Sequence, residues 1–333
     1  MTRRTPPLPS QRNRSFVVTG AAGFIGRRVV RKLLEQGAES VTAFDLKHPV
    51  RTGILKQMNS TRLRIVKGDI LRLPDLKKAI GPGSIVIHLA GMTHAGQSLL
   101  IPESCFHLNV LGTVRVLEAC RLRRAGGILF LSTGLVYGRP RQACIDETHP
   151  VSPLNPYVAS KLAAETAVFA YAHSYRLPCW VVRPSNVYGP GGHPDAVHSI
   201  ILRQVRAGEP VCLMDLTPVR DFIHVEDVAE GLIRLASAMR PDLREVVNLS
   251  SGRGHSIRTF ARAFVGAARI PGSAPLSIRQ NRPGQSSPVH RLVLDHRKLL
   301  RMTGWSPTLA LGRGVRRTLS ESQHDRSHQG GRP

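Results

Sequence analysis

The stretch FVVTGAAGFIG at residues 16–26 joins a short apolar run to a glycine-rich turn, and an amphipathic segment follows at residues 27–36. A strand, a glycine-rich turn and a helix in this order form the phosphate-binding unit of a doubly wound α/β sheet. The spacing of the glycines is GxxGxxG, which is one residue wider at the first gap than GxGxxG. The position of the motif near the N-terminus of the chain therefore predicts a dinucleotide-binding fold.

Each residue type in the turn has a physical reason to be there. Gly20 permits a tight turn off the strand, Gly23 lets the backbone approach a diphosphate, and Gly26 lets the helix pack close to the sheet. The N–H groups at Phe24 and Ile25 lie at the positive end of the helix dipole, which attracts anions. We expect these residues to contact the diphosphate of the cofactor.

Beyond this unit, short apolar runs alternate with longer helical patterns. The predicted strands are 16–19, 41–44, 63–67, 85–89, 128–132 and 179–183. The predicted helices are 25–36, 104–123, 156–175, 225–239 and 256–268. Near-continuous apolar strands separated by helices indicate a parallel sheet that is covered on both faces. The predicted fold class is therefore α/β, a doubly wound parallel sheet of the Rossmann type with a smaller C-terminal substrate lobe.

The length of 333 residues suits one large domain or two domains that share a cleft. Both ends are polar, and the strict alternation of strands and helices loosens after residue 184. The predicted division is a disordered arm at 1–14, a dinucleotide-binding domain at 15–184 and about 216–252, a substrate-binding lobe at 185–215 and 253–318, and a disordered tail at 319–333.

The net charge of +25 is unusual, and most of the 47 basic residues are arginine. The arginines are spread along the chain, and no basic block is interleaved with aromatic residues of the kind that stack on bases. The charge therefore predicts an arginine-rich solvated surface with some phosphate-binding side chains, and a nucleic-acid partner is not expected.

The five cysteines are scattered, odd in number and without a CxxC pair. They indicate free thiols in a reducing compartment, with no zinc site and no disulfide framework. Residues 1–14 lack the apolar centre of a secretory signal, and no apolar run approaches the roughly 18–20 residues that span a bilayer. The expected location is the cytoplasm, with no membrane partner.

Acidic residues follow the second and third predicted strands. Asp45 can accept hydrogen bonds from the adenosine ribose hydroxyls and would repel a 2′-phosphate, which favours NAD over NADP. Lys47 and Arg51 lie nearby and could hold such a phosphate, so NADP stays open. Asp69 and Ile70 supply a carboxylate and an apolar side chain that can bracket the adenine.

Tyr157 and Lys161 are spaced by one helical turn and share one helix face. A phenol ionises near pH 10, so a tyrosine that moves protons near neutrality needs a cation beside it. The apolar strand at 128–132 ends beside Thr133, where ligands bind at the carboxyl edge of a doubly wound sheet. Thr133 can hydrogen-bond the substrate oxygen, and the three residues together predict hydride and proton transfer.

These motifs resemble those of an extended short-chain dehydrogenase/reductase of the NAD-dependent epimerase/dehydratase family. The resemblance runs from Ser15 to about Val315. The motifs that carry it are GAAGFIG at 20–26, Asp45, GDI at 68–70, HLAG at 88–91, NVLGT at 109–113, LSTGLVYG at 131–138, YVASK at 157–161, RPSNVYGPG at 183–191, RDFIHVEDVA at 220–229, NLSSG at 248–252 and RPG at 282–284.

The resemblance assigns roles to residues of this chain. It implies that Tyr157 is the acid/base, that Lys161 lowers the pKa of Tyr157 and holds the nicotinamide ribose, and that Thr133 assists at the substrate hydroxyl. Further cofactor contacts are implied at Leu89, Ala90, Gly91, Asn109 and Pro184. Contacts to the substrate are implied at Asn186, Arg220 and Arg282, the first two at the diphosphate. A homodimer packed through the helices 104–123 and 156–175 is implied as well.

The resemblance implies an NAD-dependent nucleotide-sugar epimerase, similar to UDP-hexose 4-epimerases, that removes and returns hydride at C4 through a 4-keto intermediate. Family members that dehydrate place an Asp-Glu pair after the threonine, and Gly134-Leu135 stand there instead. A 4-ketoreductase or dehydrogenase acting on a nucleotide sugar is the alternative, because its first half-reaction is the same. A relative that binds RNA without catalysis is a third possibility.

Overall fold

A computed structural model describes the following residues of the chain: 14–47, 60–240, 244–268, 276–281 and 289–327. The predicted disordered arm, except for Arg14, lies outside the described residues. Arg51 and Arg282 lie outside them as well.

The described chain contains strands and helices in the alternation that the sequence predicts. The strands are β1 (Ser15–Thr19), β2 (Ser40–Asp45), β3 (Leu63–Lys67), β4 (Ile85–His88), β5 (Gly127–Leu131), β6 (Cys179–Pro184), β7 (Asn186–Tyr188), β8 (Val211–Leu213), β9 (Val219–His224), β10 (Arg244–Leu249), β11 (Gly254–Ser256), β12 (Ile278–Gln280) and β13 (Arg291–Leu292). The helices are α1 (Gly26–Glu35), α2 (Leu73–Ala79), α3 (Ala95–Leu100), α4 (Pro102–Phe106), α5 (Gly112–Leu122), α6 (Pro156–Tyr175), α7 (Val197–Ala207), α8 (Val225–Ala238), α9 (Ile257–Ala267), α10 (Arg297–Thr303) and α11 (Leu311–Ser327).

Seven strands form the central sheet in the order β10-β6-β5-β4-β1-β2-β3, and all neighbours are parallel. β1 lies between β2 and β4, so the chain order reverses at β1. Ligands of doubly wound sheets bind outside the carboxyl ends of the strands at such a reversal. The glycine-rich turn follows β1 directly and therefore lies at the expected binding edge. The predicted α/β fold with a doubly wound parallel sheet is confirmed.

Two apolar cores cover the two faces of the sheet. On one face α1 and α8 pack on the strands, with Leu33 and Leu232 fully buried beside Val18. On the other face α2, α5 and α6 pack, with Leu117 and Val168 fully buried. Strands that are buried on both faces are apolar along their whole length, which is why the sequence shows runs rather than alternation.

A smaller set of strands and helices forms around a third core. β7, β11 and β13 each pair with β9, and β8 pairs with β12. Their core includes Ile201 and a stacked pair of rings, Phe222 and Phe260, whose centroids lie 3.7 Å apart. The domain boundaries drawn from the sequence stay a prediction.

The structure differs from the sequence-based expectation in several places, of which three affect the described architecture most. β10 is a seventh parallel strand beside β6 that is absent from the predicted strands. The predicted helix 104–123 is α4 and α5 joined by a π-helical turn at His107–Leu111. The predicted disordered tail is wrong over 319–327, because α11 continues to Ser327. Val315 and Thr318 are fully buried, and this packing anchors the helix.

No helix within the described ranges is both long and apolar enough to cross a membrane.

Candidate active site

The glycine-rich turn has backbone geometry that only glycine satisfies. Gly20 has φ +71°, and a Cβ atom there would lie 2.8 Å from the backbone nitrogen of Ala90. A Cβ atom on Gly26 would lie 2.1 Å from the carbonyl oxygen of Gly20. The N–H group of Gly23 donates to the Gly20 carbonyl at 3.0 Å and closes the turn. The turn therefore brings backbone close to backbone, as a site for a diphosphate requires.

Asp45 connects the end of β2 to this turn. Its carboxylate accepts hydrogen bonds from the N–H group of Ala22 at 2.9 Å and from that of Lys47 at 3.0 Å. The carboxylate is therefore fixed beside the turn, where the sequence places the ribose contact. Further along the sheet edge, Asp69 accepts a bond from the N–H group of Leu71, and Ile70 is buried.

A buried histidine fastens the end of β4 to its neighbours. Nδ1 of His88 lies 2.7 Å from Oγ1 of Thr19, and Nε2 lies 3.2 Å from Oγ1 of Thr113. The Thr113 hydroxyl donates to the Asn109 carbonyl, so it accepts from Nε2–H of His88, and Nδ1 then accepts from Thr19. Burial lowers the pKa of His88 to about 3. His88 is thus a neutral structural residue.

Leu89, Ala90 and Gly91 follow His88 and lie against the glycine-rich turn. The N–H groups of Leu89 and Ala90 lie 3.2 and 3.3 Å from Oγ1 of Thr19. Gly91 has φ +152°, and a Cβ atom there would meet Oδ1 of Asn109 at 2.6 Å. This segment therefore borders the predicted cofactor site.

Asn109 joins that segment to the helix that carries Tyr157. Its Oδ1 atom accepts from the N–H group of Met92 at 2.8 Å, and its Nδ2 atom donates to Oγ of Ser160 at 2.9 Å. Asn109 lies in the π-helical turn before α5 and is 2% exposed. π-helical turns are frequent at functional sites, and this one carries a residue for which the sequence predicts a cofactor contact.

Tyr157 and Thr133 are brought together from α6 and the end of β5. Their side chains are hydrogen-bonded, and both residues are buried. Oγ1 of Thr133 accepts from the N–H group of Leu135 at 3.2 Å, which leaves its own proton for the phenol oxygen of Tyr157. Burial raises the pKa of Tyr157 to about 12, and the bond from Thr133 opposes this rise.

Lys161 lies one turn after Tyr157 on α6 and is also buried. Its Nζ atom is 4.4 Å from the centroid of the Phe130 ring, a favourable cation–π contact. Burial lowers the pKa of Lys161 to about 8, and the carboxylate of Glu165 partly offsets this effect. In this structure desolvation is the largest influence on the pKa of the Tyr157 phenol and on the pKa of the Lys161 ammonium.

Glu165 and Arg183 are site-supporting residues that the sequence analysis missed. Arg183 donates from Nε and Nη2 to the two oxygens of Glu165, at 3.1 and 2.5 Å. Oγ of Ser132, next to Thr133, donates to the same carboxylate. The spacing of Glu165, four residues after Lys161 on the same face, is a sequence signal that could have identified it.

The predicted substrate-binding residues are more spread out. Pro184 ends β6, and Asn186 begins β7 two residues later at the same sheet edge. The guanidinium of Arg220 donates to the carbonyl oxygens of Val219 at 2.9 Å and Val289 at 2.6 Å. The roles of these residues at a diphosphate stay predictions.

Comparisons with known proteins show what this chain is similar to. Residues 16–250 match the family model described as NAD dependent epimerase/dehydratase family. A UDP-glucose 4-epimerase of Mycolicibacterium smegmatis is 32% identical over 310 residues, which cover 91% of this chain and 96% of that protein.

Solved structures share the fold over nearly the whole chain. The dTDP-glucose 4,6-dehydratase DesIV of Streptomyces venezuelae, solved with NAD bound, has a TM-score of 0.83 and 26% identity, covering 94% of this chain and 98% of that chain. The UDP-glucose 4-epimerase of Thermotoga maritima, solved with UDP-glucose, has a TM-score of 0.80 and 26% identity, covering 94% and 99%.

Proposed function

This chain belongs to the NAD-dependent epimerase/dehydratase family, and on that premise we propose that it is a nucleotide-sugar 4-epimerase. The relatives include both epimerases and dehydratases, so the family alone does not select the reaction. The choice rests on the residues that surround the reacting sugar.

The site fits NAD as the cofactor. The turn from Gly20 to Gly26 would hold the diphosphate on backbone N–H groups, and the carboxylate of Asp45 would accept from the adenosine ribose. Asp45 already lies beside the turn, bonded to the N–H group of Ala22. NAD, when bound, supplies the acceptor and donor of hydride. Lys161 and Asn109 would contact the nicotinamide half.

Tyr157 takes the proton from the C4 hydroxyl of the sugar and returns it after the sugar has turned over. Thr133 donates a hydrogen bond to the phenol oxygen, which favours its ionised form. A positive charge on Lys161, one turn further along α6, would favour the same form. Positioned proton transfer of this kind contributes about 10²–10⁴ in rate.

The residues after Thr133 support epimerisation over dehydration. Loss of water from a sugar needs additional groups that move protons beside the reacting carbons. Gly134 and Leu135 carry no ionisable group, and a Cβ atom on Gly134 would lie 2.7 Å from Leu294 and 2.9 Å from the Pro184 carbonyl. The two positions after Thr133 therefore lack the acidic residues of a dehydratase, while Tyr157 and Thr133 are present as the proton-transfer pair. This observation carries the proposal.

The proposed 4-epimerase activity is tested by incubating the protein with UDP- and dTDP-hexoses. Proton NMR then identifies the sugar, and absorbance measures the reduced nicotinamide. We expect the C4 epimer to appear with no net change in reduced cofactor. Stoichiometric consumption or formation of reduced cofactor would indicate a ketoreductase or dehydrogenase instead. Turnover of no nucleotide sugar, combined with salt-sensitive RNA binding, would indicate the non-catalytic alternative.

We also propose that the protein is a homodimer in the cytoplasm. Leu122 and Tyr175 are apolar, lie on the two helices α5 and α6 that the family resemblance assigns to the interface, and are 43% and 52% exposed. The cysteines of the described residues are free thiols, as a reducing compartment permits. Light scattering after size-exclusion chromatography tests the dimer, and a monomeric mass would contradict it.

A further inference from the structure

Two histidines and an aspartate meet between two loops that the proposed reaction does not use. They are His94, in the loop between β4 and α3, and His193 and Asp195, in the loop between β7 and α7, and we call them the histidine cluster. The imidazole rings are stacked with centroids 4.2 Å apart and an interplanar angle of 14°. Oδ2 of Asp195 lies 3.8 Å from Nε2 of His94 and 3.9 Å from Nδ1 of His193.

The His94 loop is tied to the residues of the active site. Met92, two residues before His94, is held by Asn109 through both its N–H and its carbonyl group. His94 caps α3, and the hydroxyl of Ser98 in that helix accepts from the N–H group of Tyr157 at 3.1 Å.

The other loop is tied to the helix that follows the glycine-rich turn. The carbonyl oxygen of Pro190 accepts from Arg27 at 3.0 Å and from Arg28 at 2.7 Å. The histidine cluster therefore joins a loop fixed beside Tyr157 to a loop fixed against α1. A bond across this contact would link the two sides of the predicted cofactor site.

We propose that the histidine cluster binds a divalent transition-metal ion of the Zn²⁺ class. One nitrogen from each histidine and one oxygen of Asp195 all lie within 4.8 Å of one another. Two imidazoles and one carboxylate form a ligand set typical of Zn²⁺, whereas Mg²⁺ and Ca²⁺ prefer oxygen ligands alone. Three protein ligands leave a position for water or for an oxygen of a bound ligand.

The distances require a modest closure of the cluster. Bonds of about 2.0–2.2 Å in a tetrahedral site place ligand atoms about 3.3 Å apart, so the observed 3.8 and 3.9 Å must shorten. The side chain of Asp195 is 67% exposed and can rotate toward both rings. His94 and His193 are 28% and 41% exposed and stack on each other, and Nδ1 of His193 accepts from the N–H group of Asp195 at 3.3 Å, so closure also replaces that bond.

Coordination also changes a helix cap. Nδ1 of His94 accepts from the N–H group of Gln97 at 3.1 Å, so the neutral ring carries its proton on Nε2. An ion at Nε2 moves that proton to Nδ1 and removes the cap, at a cost of about fivefold in affinity, corresponding to roughly 1 kcal/mol for a lost cap. Zn²⁺ binding would therefore loosen the first turn of α3.

Calorimetric titration of the full, untagged, EDTA-dialysed protein with ZnCl₂ tests the proposal, with MgCl₂ as the control ion. We expect one tightly bound Zn²⁺ per chain and no Mg²⁺ binding. His94→Ala, His193→Ala and Asp195→Asn should each weaken Zn²⁺ binding by about tenfold or more. His173→Ala changes an exposed histidine at the far end of α6 and should leave binding unchanged.

Visible absorption of the Co²⁺-loaded protein gives a second reading, because bands of a low-symmetry nitrogen–oxygen site should be lost in the three cluster variants. Circular dichroism confirms that the variants are folded. Absence of tight Zn²⁺ binding in the unaltered protein would overturn the proposal. Binding that is the same in the cluster variants and in His173→Ala would overturn it too, because the ion would then reside at other histidines.

Discussion

The carboxylate of Glu165 and the guanidinium of Arg183 form a two-pronged ion pair whose side chains are 2% and 7% exposed. The pair links α6, one turn beyond Lys161, to β6. Ser132 donates to the same carboxylate, so the end of β5 beside Thr133 is held as well. The Arg183 guanidinium also lies 4.9 Å from the ring centroid of Tyr137. The two elements that carry the proton-transfer residues, α6 and β5, thus meet β6 at one buried carboxylate.

Glu165→Gln should destabilise the protein by about 3–5 kcal/mol, because it leaves the buried Arg183 charge without its partner. Urea denaturation measures this change. Glu118→Gln, which disrupts the more exposed pair with Arg121, is the matched control and should cost no more than about 1 kcal/mol. Equal costs for the two variants would show that the Glu165–Arg183 pair does not anchor the site.

Acid should destabilise the fold through the buried histidines. The pKa of His88 in the folded protein is about 3, below its value of 6.5 when exposed. The folded state therefore binds fewer protons than the unfolded state as the pH falls below 6.5, and stability that is complete above this pH is lost toward pH 3. Each such histidine contributes a slope of about 1.4 kcal/mol per pH unit.

His88→Gln should reduce this slope by the contribution of one histidine, which is measured by urea denaturation at several pH values. His224 and His198, whose pKa values are lowered to about 3 and about 4, keep the rest of the slope. His173→Gln, an exposed control, should leave it unchanged. An unaltered slope in His88→Gln would contradict the assignment of His88 as buried and neutral.

Tyr157→Phe should lower kcat by about 10²–10⁴ or more, because the phenol oxygen that moves the proton is gone. The ring and its packing stay, so the free energy of unfolding should change by less than about 1.5 kcal/mol. NAD affinity, measured by calorimetry, should stay close to that of the unaltered protein. Activity near that of the unaltered enzyme would reject Tyr157 as the acid/base.

The dependence of kcat on pH should reflect the ionisation of both Tyr157 and Lys161. The raised pKa of Tyr157 means that its basic form grows as the pH rises, so kcat should climb through neutral pH. The pKa of Lys161, about 8, predicts that the climb ends near that pH, because each further gain in ionised Tyr157 is then matched by an equal loss of charged Lys161.

Thr133→Val should move the rising limb, the part of the pH profile in which kcat climbs, to higher pH. The substitution removes the hydrogen bond that lowers the pKa of Tyr157. Steady-state rates across the pH range measure the limb. Thr148→Val, at an exposed threonine, is the matched control and should not move it. A limb at the same pH in Thr133→Val would remove Thr133 from the proton-transfer step.

The sequence predicted what local patterns determine. The first six strands of the sheet lie within about one residue of their predicted bounds, because all of them except the partly exposed β3 are buried apolar runs flanked by turn residues. The sequence does not predict strand β10, because only part of Arg244–Leu249 is apolar. Its pairing with β6 depends on tertiary contacts. The sequence does not predict the end of α11, because this segment is mostly polar. Only a few residues, such as the buried Val315, anchor the helix.

The candidate site divides in the same way. Tyr157, Lys161 and the glycine turn are encoded by short spacings, so the sequence identifies them. Glu165 with Arg183, and His94 with His193, come from distant segments that only the folded sheet brings together. Their partners could not be inferred from spacing, because no local pattern joins them.

The most direct test of C4 hydride transfer uses UDP-glucose that carries deuterium at C4, with the product analysed by NMR and mass spectrometry. A hydride that leaves and returns within one site should give UDP-galactose that keeps the deuterium at C4. Tyr157→Phe should give almost no labelled product. Galactose formed with protium at C4, or a keto sugar released together with stoichiometric reduced nicotinamide, would contradict the proposed epimerase.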